Sequence, residues 1–281
     1  MPELPEVETV CRGLAKVLAG RRIAAVATHR RDLRKPFPRG LAQLRGDVVS
    51  VTRRAKYALI NLSGGKTLVI HLGMTGRLLF YGADEKYAKG KHDHMVVTMD
   101  NGLRMVFSDP RRFGLVDLVD TAAIDAHPLF AHLGPEPFDK KFSATYMAAR
   151  FKNRKTAIKV AIMDQEVVVG VGNIYAAEAL FSARIDPRLP AGDVPRAGLT
   201  RLATAIRKTL EKAIAAGGSS LRDYVQTDGT LGLFQHNFAV YDRAGGKCKG
   251  CTCNVKKTGG VQRIVQGGRS TFYCPARQGG G

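Results

Sequence analysis

Val7, Val10, Cys11, Leu14, Val17 and Leu18 recur at helical spacing, which predicts an amphipathic helix from Glu3 to about Leu18. Pro5 is compatible with it, because the first turn needs no backbone N–H there, and Gly20 supplies the stop. From Arg22 to Val119 the pattern changes to short runs rich in β-branched residues. These are Ile23–Ala27, Asp47–Arg53, Tyr57–Leu62, Thr67–His71, Met95–Met99, Leu103–Phe107 and Leu115–Val119. Gly64-Gly65 and Asn101-Gly102 are hairpin signals between them. About seven such strands predict a two-layer antiparallel sandwich. Pro128, Gly134, Pro135 and Pro137 then mark a linker. Helical periodicity returns over Ala144–Phe151, Lys155–Asp164, Asn173–Ser182 and Pro195–Ala216. A Gly-, Cys- and Lys-rich module closes the chain from about Tyr241. The expected architecture is α+β and multidomain. Residues 1–130 form a helix plus antiparallel β-sandwich, 131–142 a linker, 143–240 a helical domain and 241–281 a β-hairpin module.

Charge narrows the partner. The 281 residues are 44% hydrophobic, enough for two domains with cores, yet 44 Lys+Arg face 24 Asp+Glu for a net charge of +20. A surplus that large points to a polyanion. A membrane surface is the competitor, but there is no run of about 18 apolar residues, no signal-peptide core and no basic amphipathic anchor. Glu3, Glu6 and Glu8 give the first segment the wrong charge for a leader. Nucleic acid is the expected partner.

Chemistry concentrates at the N-terminus. Removal of Met1 would give Pro2 a free secondary amine, with Glu3 and Glu6 beside it. An α-amino group has a reference pKa of about 8, so a useful fraction is nucleophilic near neutral pH. Such an amine can attack an electrophilic carbon while a carboxyl handles the proton. The plainer alternative is that the two glutamates decorate a first helical turn.

Four other segments stand out. Arg53-Arg54-Ala55-Lys56-Tyr57 joins two strands and reads as a solvated basic turn or as a phosphate clamp with Lys56 turned into a cleft. His71-Leu72-Gly73-Met74-Thr75-Gly76 and Asp109-Pro110-Arg111-Arg112-Phe113-Gly114 are tight loops. If both project from one edge, Met74, Arg111 and Phe113 could wedge into a base stack; otherwise Met74 is core. Val169-Gly170-Val171-Gly172-Asn173 opens a helix whose N–H groups suit an anion, and Lys152, Arg154 and Lys155 are near in sequence. The polar stretch from Gly217 to Gln235 is long enough to cover a bound base.

Five cysteines are present; Cys11 falls on an apolar helix face, and Cys248, Cys251, Cys253 and Cys274 crowd the C-terminus. In a leaderless chain this reads as metal rather than disulfide. Paired Cys-x2-Cys units would be strong evidence for tetrahedral zinc, but Arg277 stands where the fourth Cys is expected, and Arg cannot ligate zinc. Cys253 offers a fourth thiolate at a cramped spacing from Cys251; a zinc-free hairpin is the alternative.

Together these motifs, with Pro2-Glu3-Leu4-Pro5-Glu6-Val7-Glu8-Thr9, Gly170-Val171-Gly172-Asn173-Ile174-Tyr175, Phe234-Gln235-His236 and Gly268-Arg269-Ser270-Thr271-Phe272-Tyr273-Cys274, resemble the formamidopyrimidine-DNA glycosylase family over nearly the whole chain. The resemblance implies a β-sandwich, a helix–two-turn–helix domain and a zinc finger, with damaged duplex DNA bound in the cleft between them. It implies excision of oxidised purines such as 8-oxoguanine and formamidopyrimidines, followed by cleavage of the abasic strand. Pro2 matches the nucleophile, Glu3 the proton donor that opens the sugar, and Lys56 a lysine that holds a phosphate and aids β-elimination. Met74, Arg111 and Phe113 match residues that fill the void left by the flipped base. Asn173 and Arg269 match phosphate contacts, and His71, Lys155 and Tyr241 are further candidate DNA contacts. Glu6 and Glu178 match polar supports. One structural zinc ion on Cys248, Cys251, Cys274 and Cys253 is implied, with the fourth ligand left open by Arg277. No organic cofactor is expected, and the resemblance suggests a monomer on the nucleoid in a bacterial cytoplasm. The rivals are an oxidised-pyrimidine glycosylase of the sister type and a non-enzymatic lesion-binding protein on the same fold.

Overall fold

The computed structural model describes residues 1–220 and 231–279. Of the polar stretch from Gly217 to Gln235, expected to cover a bound base, residues 221–230 lie outside the described residues. The chain divides into two compact units, residues 1–131 with 216–233, and residues 132–215 with 234–281.

In the first unit, α1 (Leu4–Leu18) is followed by β1 (Arg22–Thr28), β2 (Gly46–Arg54), β3 (Tyr57–Leu62), β4 (Lys66–His71), β5 (Arg77–Tyr81), β6 (Asp93–Met99), β7 (Arg104–Ser108) and β8 (Leu115–Asp120). The strands run in the order β5-β7-β6-β1-β2-β3-β4-β8, with every pairing antiparallel. Strands β1 and β2 share only the pairs Arg22↔Asp47 and Ile23↔Gly46, so the sheet parts there into two halves. One apolar cluster draws on both halves and on α1, with Leu14, Ile23, Ile60, Leu68, Val97 and Phe107 fully covered. This is the expected sandwich, and Cys11 lies in its core.

The strand β5 was not legible in the sequence pattern. Arg77-Leu78-Leu79-Phe80-Tyr81 has no β-branched residue and no alternation; its pairing with β7 makes it a strand. It follows the tight loop that ends at Gly76.

The second unit contains α2 (Ala144–Phe151), α3 (Ile158–Ile162), α4 (Asn173–Ala183), α5 (Arg196–Ala215), α6 (Val255–Thr258), β9 (Gln262–Gln266), β10 (Arg269–Tyr273) and α7 (Pro275–Gln278). The helix expected over Lys155–Asp164 is only the short α3. Its N-terminal flank bonds elsewhere: Ala157 bridges Pro190 and the Ile158 N–H donates to Leu189 O at 2.7 Å. Tertiary pairing has taken the backbone groups that a longer helix would have used. The β9–β10 hairpin closes through Gly267-Gly268, both at positive φ, between the paired residues Gln266 and Arg269. No helix among the described residues is long and apolar enough to cross a membrane.

Candidate active site

Pro2, Glu3 and Glu6 are buried together at the start of α1. The Glu6 carboxylate fixes the cluster. Its Oε2 accepts from the Glu3 N–H at 2.8 Å and its Oε1 from the Ser219 N–H at 2.8 Å. The first bond caps the helix by returning a side-chain acceptor to an N–H that no helical carbonyl can reach. The second fastens the segment after α5 to the N-terminus. That segment comes so close that a Cβ on Gly218 would lie 3.0 Å from Glu6 Oε1 and 3.3 Å from Glu6 Cα, and its φ is +81°. Only glycine meets both demands.

Arg53 brings Lys56 to the same helix. Its Nε donates to Glu8 Oε2 at 3.0 Å and its Nη1 to Ala55 O at 2.9 Å, so one guanidinium spans α1 and the β2–β3 turn. Ala55 holds φ +53°, a left-handed conformation usually left to glycine, and Lys56 follows it with only 8% of its surface exposed. The segment read as either a solvated turn or a clamp is therefore a buried, braced turn. Next to it, Tyr57 pairs across the strands with His71, their rings 5.0 Å apart. His71 Nδ1 accepts from the Gly73 N–H at 3.1 Å, which leaves the ring proton on Nε2. Burial, then the cations Lys56 and Arg34, push the His71 imidazole down to about 4.

The two tight loops do share an edge, because they leave β4 and enter β8, which are paired strands. Buried Asp109 staples them. Its Oδ1 accepts from the Thr75 hydroxyl at 2.5 Å and its Oδ2 from the Gly114 N–H at 2.7 Å, while Thr75 Oγ1 accepts from the Arg111 N–H at 3.1 Å. A Cβ on Gly73 would sit 2.5 Å from the Phe113 carbonyl carbon and the Gly114 nitrogen, so the two backbones touch through that glycine. Outside this seam Met74 is 38% and Phe113 45% exposed, and the Arg111 guanidinium lies 4.8 Å over the Phe113 ring. Met74 is thus not core. Two solvated apolar side chains and a cation on a rigid rim have the chemistry of a wedge.

The second unit gathers a separate set. Asn173 begins α4; its Nδ2 donates to Ser270 O at 2.9 Å and lies 3.5 Å from the Tyr241 hydroxyl. Lys159, fully buried on α3, donates to Asn173 Oδ1 and also, at 3.3 Å, to Ser270 O. Ser270 adjoins exposed Arg269, so the α4 N-terminus and the hairpin are held as one surface. The Glu178 carboxylate supports it from behind, accepting from the N–H groups of Ala239 (2.8 Å), Val240 (3.0 Å) and Tyr241 (2.8 Å). Burial raises its carboxyl pKa while these three donors pull it down. Tyr241 also meets the rings of Phe238 at 5.4 Å and Phe272 at 5.1 Å, both edge to face. Lys155 is exposed and takes no part in this cluster. Lys159 takes the inner place; in sequence it was hidden among apolar neighbours, with no local signal beyond a lone cation in an apolar run.

At the C-terminus the sulfurs of Cys248, Cys251, Cys253 and Cys274 lie within 4.8 Å of one another. Cys253 Sγ is 3.2 Å from Cys248 Sγ and 3.8 Å from Cys274 Sγ, and Cys251 and Cys274 are 3.9 Å apart. Zinc–sulfur bonds of about 2.3 Å place the corners of a tetrahedron about 3.8 Å apart. The donor set therefore fits one zinc ion. Arg277 is engaged elsewhere. Its Nε donates to Phe181 O and its Nη1 to Gly250 O, each at 3.2 Å, with the guanidinium 4.7 Å over the Phe181 ring.

Two family models match the chain: the formamidopyrimidine-DNA glycosylase N-terminal domain over residues 1–116 and its H2TH domain over residues 133–225. The chain is 52% identical to the formamidopyrimidine-DNA glycosylase of Rhodospirillum rubrum, covering 99% of this chain and all of that one. It is also 52% identical to that of Cereibacter sphaeroides, covering 99% and 100%. Among solved structures, the MutM (Fpg) protein of Thermus thermophilus matches with a TM-score of 0.85 at 38% identity and full coverage of both chains. A Lactococcus lactis Fpg variant in complex with Fapy-dG-containing DNA matches with a TM-score of 0.88 at 30% identity, covering 99% of each.

Two outcomes follow from this geometry. Native mass spectrometry should find one zinc per chain, and Cys253→Ser should lower that occupancy; full occupancy in the variant would exclude Cys253 as a ligand. The His71 ring should titrate by NMR with a midpoint of about 4. Because the unfolded imidazole titrates near 6.5, its contribution to stability is complete above that pH and lost as pH falls toward 4. A midpoint near the unfolded value would contradict the burial.

Proposed function

The chain belongs to the formamidopyrimidine-DNA glycosylase family, and from that membership we propose that Pro2, Glu3 and Lys56 carry its base-excision chemistry on oxidised purines in duplex DNA. The target carbon is buried in the duplex, so the nucleotide is extruded first. Met74, Arg111 and Phe113 occupy the space it leaves; their exposure on a stapled rim supports this assignment. Asn173, Arg269 and Tyr241 hold phosphates, with Lys159 and Glu178 as their supports. His71, neutral and with a proton on Nε2, donates to a backbone oxygen near Lys56. Cys253 completes the zinc site, and Arg277 clamps that module to the end of α4.

The reaction begins once Met1, which is exposed, has been removed and Pro2 carries a free amine. The amine attacks the sugar C1′ and the base leaves. Glu3 protonates the ring oxygen as the sugar opens, which gives an iminium between Pro2 and C1′. That cation acidifies the C2′ proton. Loss of this proton expels the 3′ phosphate, and a second elimination releases the 5′ phosphate. Lys56 neutralises the phosphate next to the sugar and aids the elimination; its position in a buried turn braced to α1 supports this role. The bacterial relatives and a chromosomal DNA substrate support the nucleoid of a bacterial cytoplasm as its place of action.

The observation that carries the proposal is the burial of Pro2 and Glu3 around a carboxylate that fixes the helix start. A protein that only bound lesions would need no such device. Pro2→Gly and Glu3→Gln should each retain binding to an 8-oxoguanine duplex and lose base excision by at least about a hundredfold. Full excision by Glu3→Gln would remove Glu3 from the mechanism.

A further inference from the structure

The first unit carries a cationic segment that the chemistry above does not use. Residues 29–39 read His-Arg-Arg-Asp-Leu-Arg-Lys-Pro-Phe-Pro-Arg, following β1. Asp32 is its only carboxylate and is taken by Arg30, at 2.9 Å. Arg31, Arg34, Lys35 and Arg39 are exposed, and no carboxylate among the described residues pairs with them.

This segment is not a loose loop. Leu33 and Phe37 pack against the sandwich core. The Leu33 N–H donates to Lys35 O at 2.9 Å, the Phe37 N–H to Arg31 O at 3.1 Å, and Asp32 bridges Pro36. The apolar feet are half-buried against the core and the cations are exposed. Its position is also fixed relative to the site. The Arg34 N–H donates to Gly114 O at 3.2 Å, and Gly114 ends the turn that presents Arg111 and Phe113. The Arg34 guanidinium reaches far enough to act electrostatically on both Tyr57 and His71. Cations from the β2–β3 turn, the wedge loop and this segment therefore converge on one edge. A segment kept basic for solubility alone would have no reason to be anchored there. Like charges held this close repel unless a polyanion neutralises them.

We propose that residues 31–39 form a third element that grips the DNA backbone, in which Arg34 takes a phosphate beside the one held by Lys56, and Arg31, Lys35 and Arg39 take phosphates farther along the strand. The assignment rests on the DNA-processing role proposed above and extends it.

The test is fluorescence anisotropy of the full-length protein on a duplex with 8-oxoguanine opposite C and on the same duplex undamaged, over a range of salt. The variants are Arg34→Gln, the triple variant Arg31→Gln/Lys35→Gln/Arg39→Gln, and Lys16→Gln as a control for net charge. Lys16 lies near the far end of α1, about 20 Å along the helix from Pro2. The bond from Arg34 to Gly114 uses the backbone, so Arg34→Gln removes the charge and keeps the anchor. Arg34→Gln should weaken binding to both duplexes about fivefold and flatten the slope of log affinity against log salt by about one; the triple variant should flatten it further. If neither differs from Lys16→Gln, the proposal is overturned. Borohydride trapping of the unaltered protein is read in parallel. Its failure would count against Pro2 alone, because phosphate contact is scored on undamaged DNA as well.

Discussion

Both oxygens of one buried carboxylate are committed. Glu6 accepts from the Glu3 N–H on one side and the Ser219 N–H on the other. A buried carboxylate without donors would be costly, and two short, charge-assisted bonds offset that cost. The geometry that satisfies Glu6 also sets the direction in which Pro2 and Glu3 leave the helix. It further requires the chain after α5 to approach within glycine distance. An N-terminus is ordinarily the least ordered part of a domain. Here it is tied down by the Glu6 side chain.

The same device recurs wherever a proposed functional side chain is placed. Asp109 holds the two loops that carry Met74, Arg111 and Phe113. Glu178 collects three backbone N–H groups and so fixes Tyr241. Lys159 joins Asn173 to the hairpin that bears Arg269. In each case a buried polar group carries the positioning of the element that bears the proposed functional side chain. Such preset positioning suits DNA binding with little rearrangement within each unit, since order already present in the free protein is not charged against binding.

Periodicity alone revealed α1, the strand-rich region and the long helix α5, because each buries a repeating apolar face. It missed β5, whose consecutive apolar residues carry no period. It also overextended α3, whose flanking backbone pairs with residues some thirty positions away. The site was legible where motifs are contiguous, as in Pro2 to Glu6 and the two glycine loops. It was not legible where a partner is distant in sequence. Nothing local identifies Ser219 as the partner of Glu6, Arg53 as a brace between Glu8 and Ala55, or Lys159 rather than Lys155 as the cation behind Asn173. For the zinc site, the spacing of Cys251 and Cys253 is cramped on paper for a shared ion, and Arg277 stands in the place of a ligand. The fold instead brings all four sulfurs together and turns Arg277 toward Phe181.

In the proposed mechanism the Pro2 amine, freed by removal of Met1, makes the covalent bond to DNA. The most direct measurement is borohydride reduction on a duplex with one 8-oxoguanine opposite C, followed by digestion and mass spectrometry of the adduct. The expected result is the sugar remnant on the N-terminal peptide, with Met1 absent and the added mass on Pro2. A remnant on Lys56 or any other lysine, with Pro2 unmodified, would contradict it.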